Sequence, residues 1–311
     1  MDILVIVGPT ACGKTQTAIN LAKKIDAEII SADSMQIYKS MNIGTAKPTI
    51  AEQDGIPHHL LDIIEPCEHF SVAKFAQLAI RTIEEITNRG KTPILVGGTG
   101  FYINSVLYEN MATEDDEIEQ KILTIGKNLQ KSLDIYQKLQ QVDPISANKI
   151  HPNNTKRVIR ALAYQIATGR KFSDNIVIPK LRYNALSIML DRNRASLYDS
   201  IDERVEKMFS QGLVEEVKNL ISMGIDETAT AMQAIGYKEI LPYIRGLCSL
   251  EEAKSAVKQH SRRYAKRQWT WFRHQMRDVI EIQTDDKTPE ELAIIIEDLI
   301  ACENGRGQYC K

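Results

Sequence analysis

Two hydrophobic periods alternate along the first third of the chain. Ile3–Val7 is an unbroken apolar run, the pattern of a strand covered on both faces in a parallel sheet. A glycine-containing turn follows, and Lys14–Ile25 then carries apolar residues at helical spacing. Ala27–Ser31 reads as a second strand and 59–64 as a third. Over 72–89, Phe75, Leu78, Ala79, Thr82, Ile83 and Ile86 recur at the helical period, and Gly90 stands where such a helix stops. Residues 94–96 form another short buried strand, ended by Gly97, Gly98 and Gly100. Strands alternating with helices predict an α/β fold on a parallel sheet.

The pattern changes near Glu109. From there to 179 the periodicity is helical, with 114–119 an acidic, solvated helix start, and strand character returns only at 185–190. Residues 110–183 therefore read as a helical insertion domain in a core made of 1–109 and 184–301. Long helical patterns follow at 196–223 and 251–276, a last strand at 279–282 and a terminal helix at 289–301. Pro289 near the first turn of that helix, with Glu290 and Glu291, favours a helix start. Residues 302–311 read as a frayed tail.

Between the first strand and the first helix stands Gly8-Pro9-Thr10-Ala11-Cys12-Gly13-Lys14-Thr15, which matches G-x-x-x-x-G-K-[ST] in its proper context. Glycines let backbone N–H groups curl around an anion, and the helix N-terminus adds positive potential. Lys14 reaches the outer phosphates, and the Thr15 hydroxyl is placed to ligate Mg²⁺. A di- or triphosphate is the expected ligand. An NTPase usually holds Mg²⁺ with a further Asp at the end of an apolar strand. Here 94–96 runs into Gly97-Gly98-Thr99-Gly100 with no carboxylate. Asp33 does end the second strand, and strand C-termini line the crevice of an open parallel sheet. A turn or helix-cap Asp, a metal ligand and a catalytic group are all open readings of it.

Composition limits the function classes. The chain has 311 residues, 43% apolar and 26% charged, with 39 basic and 41 acidic residues, so it is an ordinary globular protein whose bulk charge does not attract nucleic acid. No apolar run approaches the roughly 18 residues of a membrane span, and the strand-like run begins too soon after Met1 for a signal peptide. Cys12, Cys67, Cys248, Cys302 and Cys310 are odd in number and contain no C-x-x-C pair, which speaks for a reducing cytoplasm and against a disulfide framework or zinc site. His58 and His59 read as loop packing and Asp143-Pro144 as a turn.

The neutral total hides two runs without a single acid. Residues 144–173 carry Lys149, Lys156, Arg157, Arg160, Arg170 and Lys171. Residues 253–277 carry Lys254, Lys258, Arg262, Arg263, Lys266, Arg267, Arg273 and Arg277, with Tyr264, Trp269, Trp271 and Phe272 among them. Basic side chains interleaved with aromatics suit an RNA strand, through phosphate contacts and base stacking. The aromatics are equally readable as core anchors.

Taken together, these motifs resemble the bacterial tRNA dimethylallyltransferase (tRNA isopentenyltransferase) family. The resemblance rests on the phosphate loop, Ser31-Ala32-Asp33-Ser34-Met35-Gln36-Ile37-Tyr38, Asn42-Ile43-Gly44-Thr45-Ala46-Lys47-Pro48 and Ile56-Pro57-His58-His59-Leu60. It continues through Gly97-Gly98-Thr99-Gly100-Phe101-Tyr102, Arg157-Val158-Ile159-Arg160-Ala161-Leu162 and Ala234-Ile235-Gly236-Tyr237-Lys238-Glu239, to Lys266-Arg267-Gln268-Trp269-Thr270-Trp271-Phe272-Arg273. It implies a P-loop nucleotide-kinase-like core with a helical insertion domain. It also implies transfer of a dimethylallyl group from dimethylallyl diphosphate to the exocyclic amine of the adenosine 3′ of the anticodon, with release of diphosphate.

The same resemblance implies roles. Asp33 takes the amine proton, Thr99 lies beside the target nucleotide, and Arg204 contacts the diphosphate held by Gly8, Pro9, Thr10, Ala11, Cys12, Gly13, Lys14 and Thr15. Asp33, Ser34, Met35, Gln36 and Thr99, with Lys156, Arg157, Val158, Ile159 and Arg160, contact the tRNA anticodon stem-loop. So do Lys266, Arg267, Gln268, Trp269, Thr270, Trp271, Phe272 and Arg273. Mg²⁺ is the implied cofactor, and a monomer without membrane attachment the implied form. Cys12 replaces the usual Ser of the loop, Ser200 a common Arg, Ala163 a common Glu and Lys156 a common Gln. Each departure touches a single contact. A small-molecule kinase leaves the second basic run unexplained, and a non-catalytic RNA-binding protein leaves Asp33 unexplained.

Overall fold

A computed structural model describes residues 1–109, 116–130, 134–175, 180–303 and 305. The chain begins β1 (Ile3–Val7), α1 (Lys14–Ile25), β2 (Ala27–Ser31), α2 (Ile50–Gln53), β3 (His58–His59), α3 (Val72–Asn88), β4 (Thr92–Gly97) and α4 (Gly100–Leu107). Four helices follow, α5 (Asp116–Leu129), α6 (Ile135–Val142), α7 (Pro144–Lys149) and α8 (Thr155–Thr168). The chain then returns with β5 (Ala185–Asp191), α9 (Arg194–Ser210), α10 (Leu213–Ser222), α11 (Leu241–Ile244), α12 (Leu250–Gln275), β6 (Val279–Gln283) and α13 (Pro289–Glu303).

The six strands lie in the order β3-β2-β4-β1-β5-β6, every pair parallel. β1 shows why an unbroken apolar run makes a central strand. Its side chains alternate faces, so Leu4 and Ile6 join Ile19, Leu21 and Leu292 on one side, while Ile3, Val5 and Val7 join Phe75, Ile83 and Ile103 on the other. The chain passes from β1 out to β2 and β3 before β4 fills the gap. The C-terminal ends of β1, β2 and β4 therefore border one crevice, as the switch-point rule requires.

Two expected elements come out differently. The third strand is only His58–His59, because Leu60 and Asp62 take left-handed backbone angles, φ 62° and 53°, which no strand continues. The helical pattern over 196–223 is two helices, α9 and α10, broken at Gly212, whose φ of 99° is outside the helical region. Elsewhere local chemistry sets the ends, at Gly90 as expected. Ser71 caps α3 by accepting from the Lys74 N–H, Gly90 follows that helix at φ 75°, and Ser249 with Glu252 forms a capping box on α12.

Distant motifs meet in a third core, under α10 and the 34–64 loops. Glu216, buried on α10, accepts from the N–H groups of Asn42, Ile43 and Gly44 and from the Tyr237 hydroxyl at 2.6 Å. Gly44 has to be glycine, since a Cβ there would sit 2.4 Å from the Tyr237 ring. The segments 42–48 and 234–239 are thus one packing unit. α6, α7 and α8 bury Leu139, Ala147, Ile150, Val158 and Leu162 against each other, and α5 adds Ile122 against Ala163 and Tyr164. Asp143 caps α7 with Pro144 in its first turn, so that pair is a helix start rather than a site. Of the acidic helix start expected over 114–119, residues 116–119 open α5, while 114–115 lie outside the described residues, as do most of the tail and Cys310. No helix among the described residues is long and apolar enough to cross a membrane.

Candidate active site

The loop between β1 and α1 builds the floor of the crevice. Lys14 folds over that loop, its Nζ donating to the carbonyls of Gly8 at 2.9 Å and Pro9 at 2.6 Å. Burial pulls the Lys14 pKa down, and so does the nearby Arg204 guanidinium, while Cys12 and Asp33 pull it up. Arg204 reaches in from α9 and is depressed in turn by burial, with Asp33 opposing. Two cations are thus held in one partly dry place, a setting that an anion relieves. Cys12 is 2% exposed, and burial raises its thiol above the ordinary range. It fills space under the loop and offers no reactive thiolate.

Asp33 stands at the exit of β2. Its Oδ1 accepts from the Met35 N–H at 2.8 Å, so the turn reading is correct for one oxygen. No described residue donates to Oδ2. Thr99, at the exit of β4, accepts from the Ser34 N–H at 3.1 Å, and its own N–H donates to the Ala32 carbonyl at 3.2 Å. Asp33 and Thr99 are therefore joined by hydrogen bonds between neighbouring strand ends. Gln36 is used up locally: it accepts from the Ser31 hydroxyl and donates to the carbonyls of Thr45 and Ala46.

Two adjoining cavities open here, the second the larger. The first is lined by Lys14, Thr15, Ser31, Asp33 and Gly98, the second by Ser34, Met35, Thr45, Lys238 and Arg267. Thr10, Asp33, Arg204 and Tyr264 line both, so they mark the passage between them. Tyr264 is a site residue that the sequence reading left among the undivided aromatics of 253–277. Its hydroxyl lies against Thr99 and Gln268, and burial together with Asp33 raises its pKa. The signal was available in the spacing: Tyr264, Gln268 and Trp271 fall on one face of a helix.

That face of α12 packs on the glycine loop after β4. Gln268 is 6% exposed; it accepts from the Thr10 N–H at 2.9 Å and donates to the Gly98 carbonyl at 3.0 Å. A Cβ on Gly98 would lie 2.1 Å from Gln268, and one on Gly100 2.2 Å from the Trp271 ring, so both glycines exist for the approach of this helix. In this packing the Gln268 carboxamide and the Thr10 N–H, both expected to face ligands, are bonded to protein groups.

Other expected RNA contacts are buried as well. Val158 at 0%, Ile159 at 7% and Phe272 at 0% exposure face apolar cores. Lys156, Arg157, Lys266, Arg267 and Thr270 are exposed, and Arg160 is half-buried. Arg273 stacks on Trp269, 3.7 Å from its ring centre, and its Nη2 donates to Asp191 and Glu281. Trp269 donates its Nε1–H to Asp191 at 2.9 Å. Trp271 lies between Phe101 and Phe272. Both tryptophans are thus packing residues with one partly open face. None of the five α8 residues lines either cavity.

The donors fit a divalent cation of the Mg²⁺ kind only as far as one or two protein oxygens go, those of Thr15 and Asp33. That is the usual protein share when phosphate oxygens and water complete the shell. No cluster of three or more His, Cys, Asp or Glu that could hold a metal occurs among the described residues. His58 donates its Nδ1–H to the Ile56 carbonyl, and His59 pairs with the buried Glu28, which Arg89 also holds at 2.6 Å.

Comparison with known proteins places this arrangement. The family model described as IPP transferase matches residues 36–275. The tRNA dimethylallyltransferase of Alkaliphilus metalliredigens is 48% identical over 303 residues, covering 96% of each chain. That of Anoxybacillus flavithermus is 50% identical over 279 residues, 88% of each. Among solved structures, the full-length tRNA isopentenylpyrophosphate transferase of Bacillus halodurans superimposes with a TM-score of 0.74 at 43% identity, covering 97% of both chains. A eukaryotic dimethylallyltransferase acting on tRNA superimposes with a TM-score of 0.85 at 30% identity, covering 99% of this chain and 81% of that one. With a phosphate loop, a strand-end carboxylate and an inserted arginine around one crevice, and with relatives alike over nearly their whole length, this chain belongs to the IPP transferase family.

Proposed function

We propose that this protein transfers a dimethylallyl group from dimethylallyl diphosphate to the exocyclic amine of the adenosine just 3′ of the anticodon in tRNA, releasing diphosphate. One observation carries the reading: Arg204 and Asp33 stand at the passage between the two cavities, with Lys14 beside them in the first. Two cations suit a leaving diphosphate on one side. A carboxylate with one unbonded oxygen suits a nucleophile that must lose a proton on the other.

The diphosphate sits over the phosphate loop, on the N–H groups of residues 11–15. Lys14 and Arg204 match the charge that grows as the C–O bond breaks. The Thr15 hydroxyl would hold Mg²⁺ beside the diphosphate, and the cation would supply further neutralisation of the leaving group. The adenine enters the larger cavity out of its stack, as base-modifying chemistry requires. An aromatic amine is a weak nucleophile, and Asp33 Oδ2 receives its proton as the new C–N bond forms. Thr99 keeps Ser34, and so the Asp33 turn, in place. Nothing at the end of β4 supplies the second carboxylate of an NTPase, which agrees with a diphosphate that departs rather than one that is hydrolysed.

The test is mass spectrometry of tRNA nucleosides after incubation with the protein and dimethylallyl diphosphate. Mass gain by one dimethylallyl group on that adenosine is expected. Turnover of ATP with a small acceptor, and no change in RNA, would refute the proposal. In single-turnover assays Asp33→Ala is expected to slow transfer by about 10²- to 10⁴-fold while diphosphate binding survives. Recovery of Asp33→Ala with excess Mg²⁺, together with lost diphosphate affinity, would make Asp33 a metal ligand instead.

A further inference from the structure

We propose that Gln268 is a positioning residue that sets the phosphate loop and the Thr99 loop at a fixed separation, and that it takes no part in binding RNA. The inference rests on the prenyl-transfer reading above. Gln268 has two usable polar atoms, and both are spent on protein. Oε1 accepts from Thr10 N–H, inside the phosphate loop, and Nε2 donates to the Gly98 carbonyl, one residue before Thr99. At 6% exposure it borders the first cavity and presents almost no surface to a strand lying outside.

The geometry states what this carboxamide does. The phosphate loop carries the leaving group. The loop after β4 carries Thr99, whose Oγ1 holds the Ser34 N–H in the turn that presents Asp33. One side chain of fixed length therefore spans the leaving-group side and the acceptor side of the cleft. An in-line transfer depends on that span, since small misplacements of reacting groups have large effects on rate. The contact also decides which N–H groups meet the anion. With Thr10 N–H turned to Gln268, the cradle begins at Ala11, whose φ of 65° turns the chain at that point. A Gln is suited to the place because it presents one acceptor and one donor without charge beside a diphosphate.

Three variants test it on the full-length protein. Gln268→Met keeps the volume and removes both hydrogen bonds. It is expected to weaken binding of inorganic diphosphate, titrated without RNA, by roughly 10-fold, and to lower kcat by roughly 10- to 100-fold, with tRNA affinity unchanged. Lys266→Ala, on the exposed face of the same helix, is expected to do the reverse: weaker tRNA binding, unchanged diphosphate binding. Gln268→Glu gives a signature that general destabilisation does not. A protonated carboxyl restores one donor and one acceptor, whereas the carboxylate repels both Gly98 O and the ligand. Its rate deficit should therefore shrink as pH falls from about 8.5 to about 6. This series also decides the matter if the Met variant fails to fold. Loss of tRNA affinity with normal diphosphate binding would overturn the proposal, and so would a Glu variant whose deficit is constant with pH. Because diphosphate affinity is read without turnover, a protein that binds diphosphate yet prenylates no RNA would refute the reaction alone.

Discussion

On α8, Lys156 and Arg157 stand exposed, and no described carboxylate lies within ion-pair distance of either. On α12, four of the seven Lys and Arg side chains are matched by acids from other elements. Lys254 and Lys258 pair with Glu206, Arg262 with Asp202, and Arg273 with Asp191 and Glu281. As sequence the two runs look alike, both basic and both without acid. As surfaces they differ, because α9, β5 and β6 bring carboxylates to one, while Lys156 and Arg157 on the other meet none among the described residues. The lesson is that local charge density measures opportunity, and tertiary neighbours decide how much of it faces solvent. On α12 the positive surface reduces to Arg263, Lys266 and Arg267, for which no ion pair occurs among the described residues.

The sharpest way to break this contrast is at Asp191. It is 3% exposed and holds the Trp269 Nε1–H, the Arg273 guanidinium, the Gln283 amide and the Arg192 N–H. Asp191→Ala leaves three donors without their acceptor and Arg273 with Glu281 alone. Denaturant titration is expected to show a loss of about 2–4 kcal/mol. A loss under about 1 kcal/mol would mean that the network contributes little more than a surface pair.

The insertion helices should respond most to acid. Asp143, 1% exposed, accepts from the Ser146 and Ser173 N–H groups, which hold its pKa down to about 2 against the burial that raises it. A folded-state pKa below the unfolded value of 3.8 stabilises at neutral pH, and that stability is lost as pH falls through this window. The contribution at neutral pH is about 2 kcal/mol. Amide exchange followed from about pH 5 downward should show α6–α8 loosening, and Asp143→Asn should remove the acid-dependent part. If both proteins respond to acid identically, the carboxylate is not the cause.

Binding of tRNA gives smaller, graded effects. Arg267→Ala and Lys266→Ala on α12, and Lys156→Ala and Arg157→Ala on α8, should each weaken binding and reduce the salt slope by about 1. Equal behaviour of the four would place both surfaces on the RNA. A flat result for the α8 pair alone would confine the interface to α12. The least effect is expected at Arg262→Ala. Asp202 already neutralises that side chain, so the salt slope should stay as it was. A change as large as that of Arg267→Ala would show the pair opening to RNA.

Most strands and helices could be read directly from the chain, since their signals are local. The bounds of β1, α1 and β2 follow from an apolar run, a helical period and a turn, and α12 announces itself with its cap. What local signals miss is backbone that reverses them. The pattern over 59–64 still looks like a strand, yet Leu60 and Asp62 turn left-handed, and the helical period across 196–223 runs straight through Gly212. The candidate site divides in the same way. Lys14, Thr15 and Asp33 stand on motifs whose chemistry requires those residues at those spacings, and they do meet at the crevice.

By itself the sequence determined the α/β alternation, the phosphate loop and the carboxylate at the end of β2, because periodicity and loop chemistry act over a few residues. Only the tertiary structure decided which cations stay free, which aromatics are packing, and that Gln268 faces inward rather than toward RNA. Those outcomes depend on Asp191, Asp202, Glu206, Thr10 and Gly98, which lie far from 253–277 in the chain. A side chain's partner is a property of where elements pack, and no window of sequence contains both halves of such a pair.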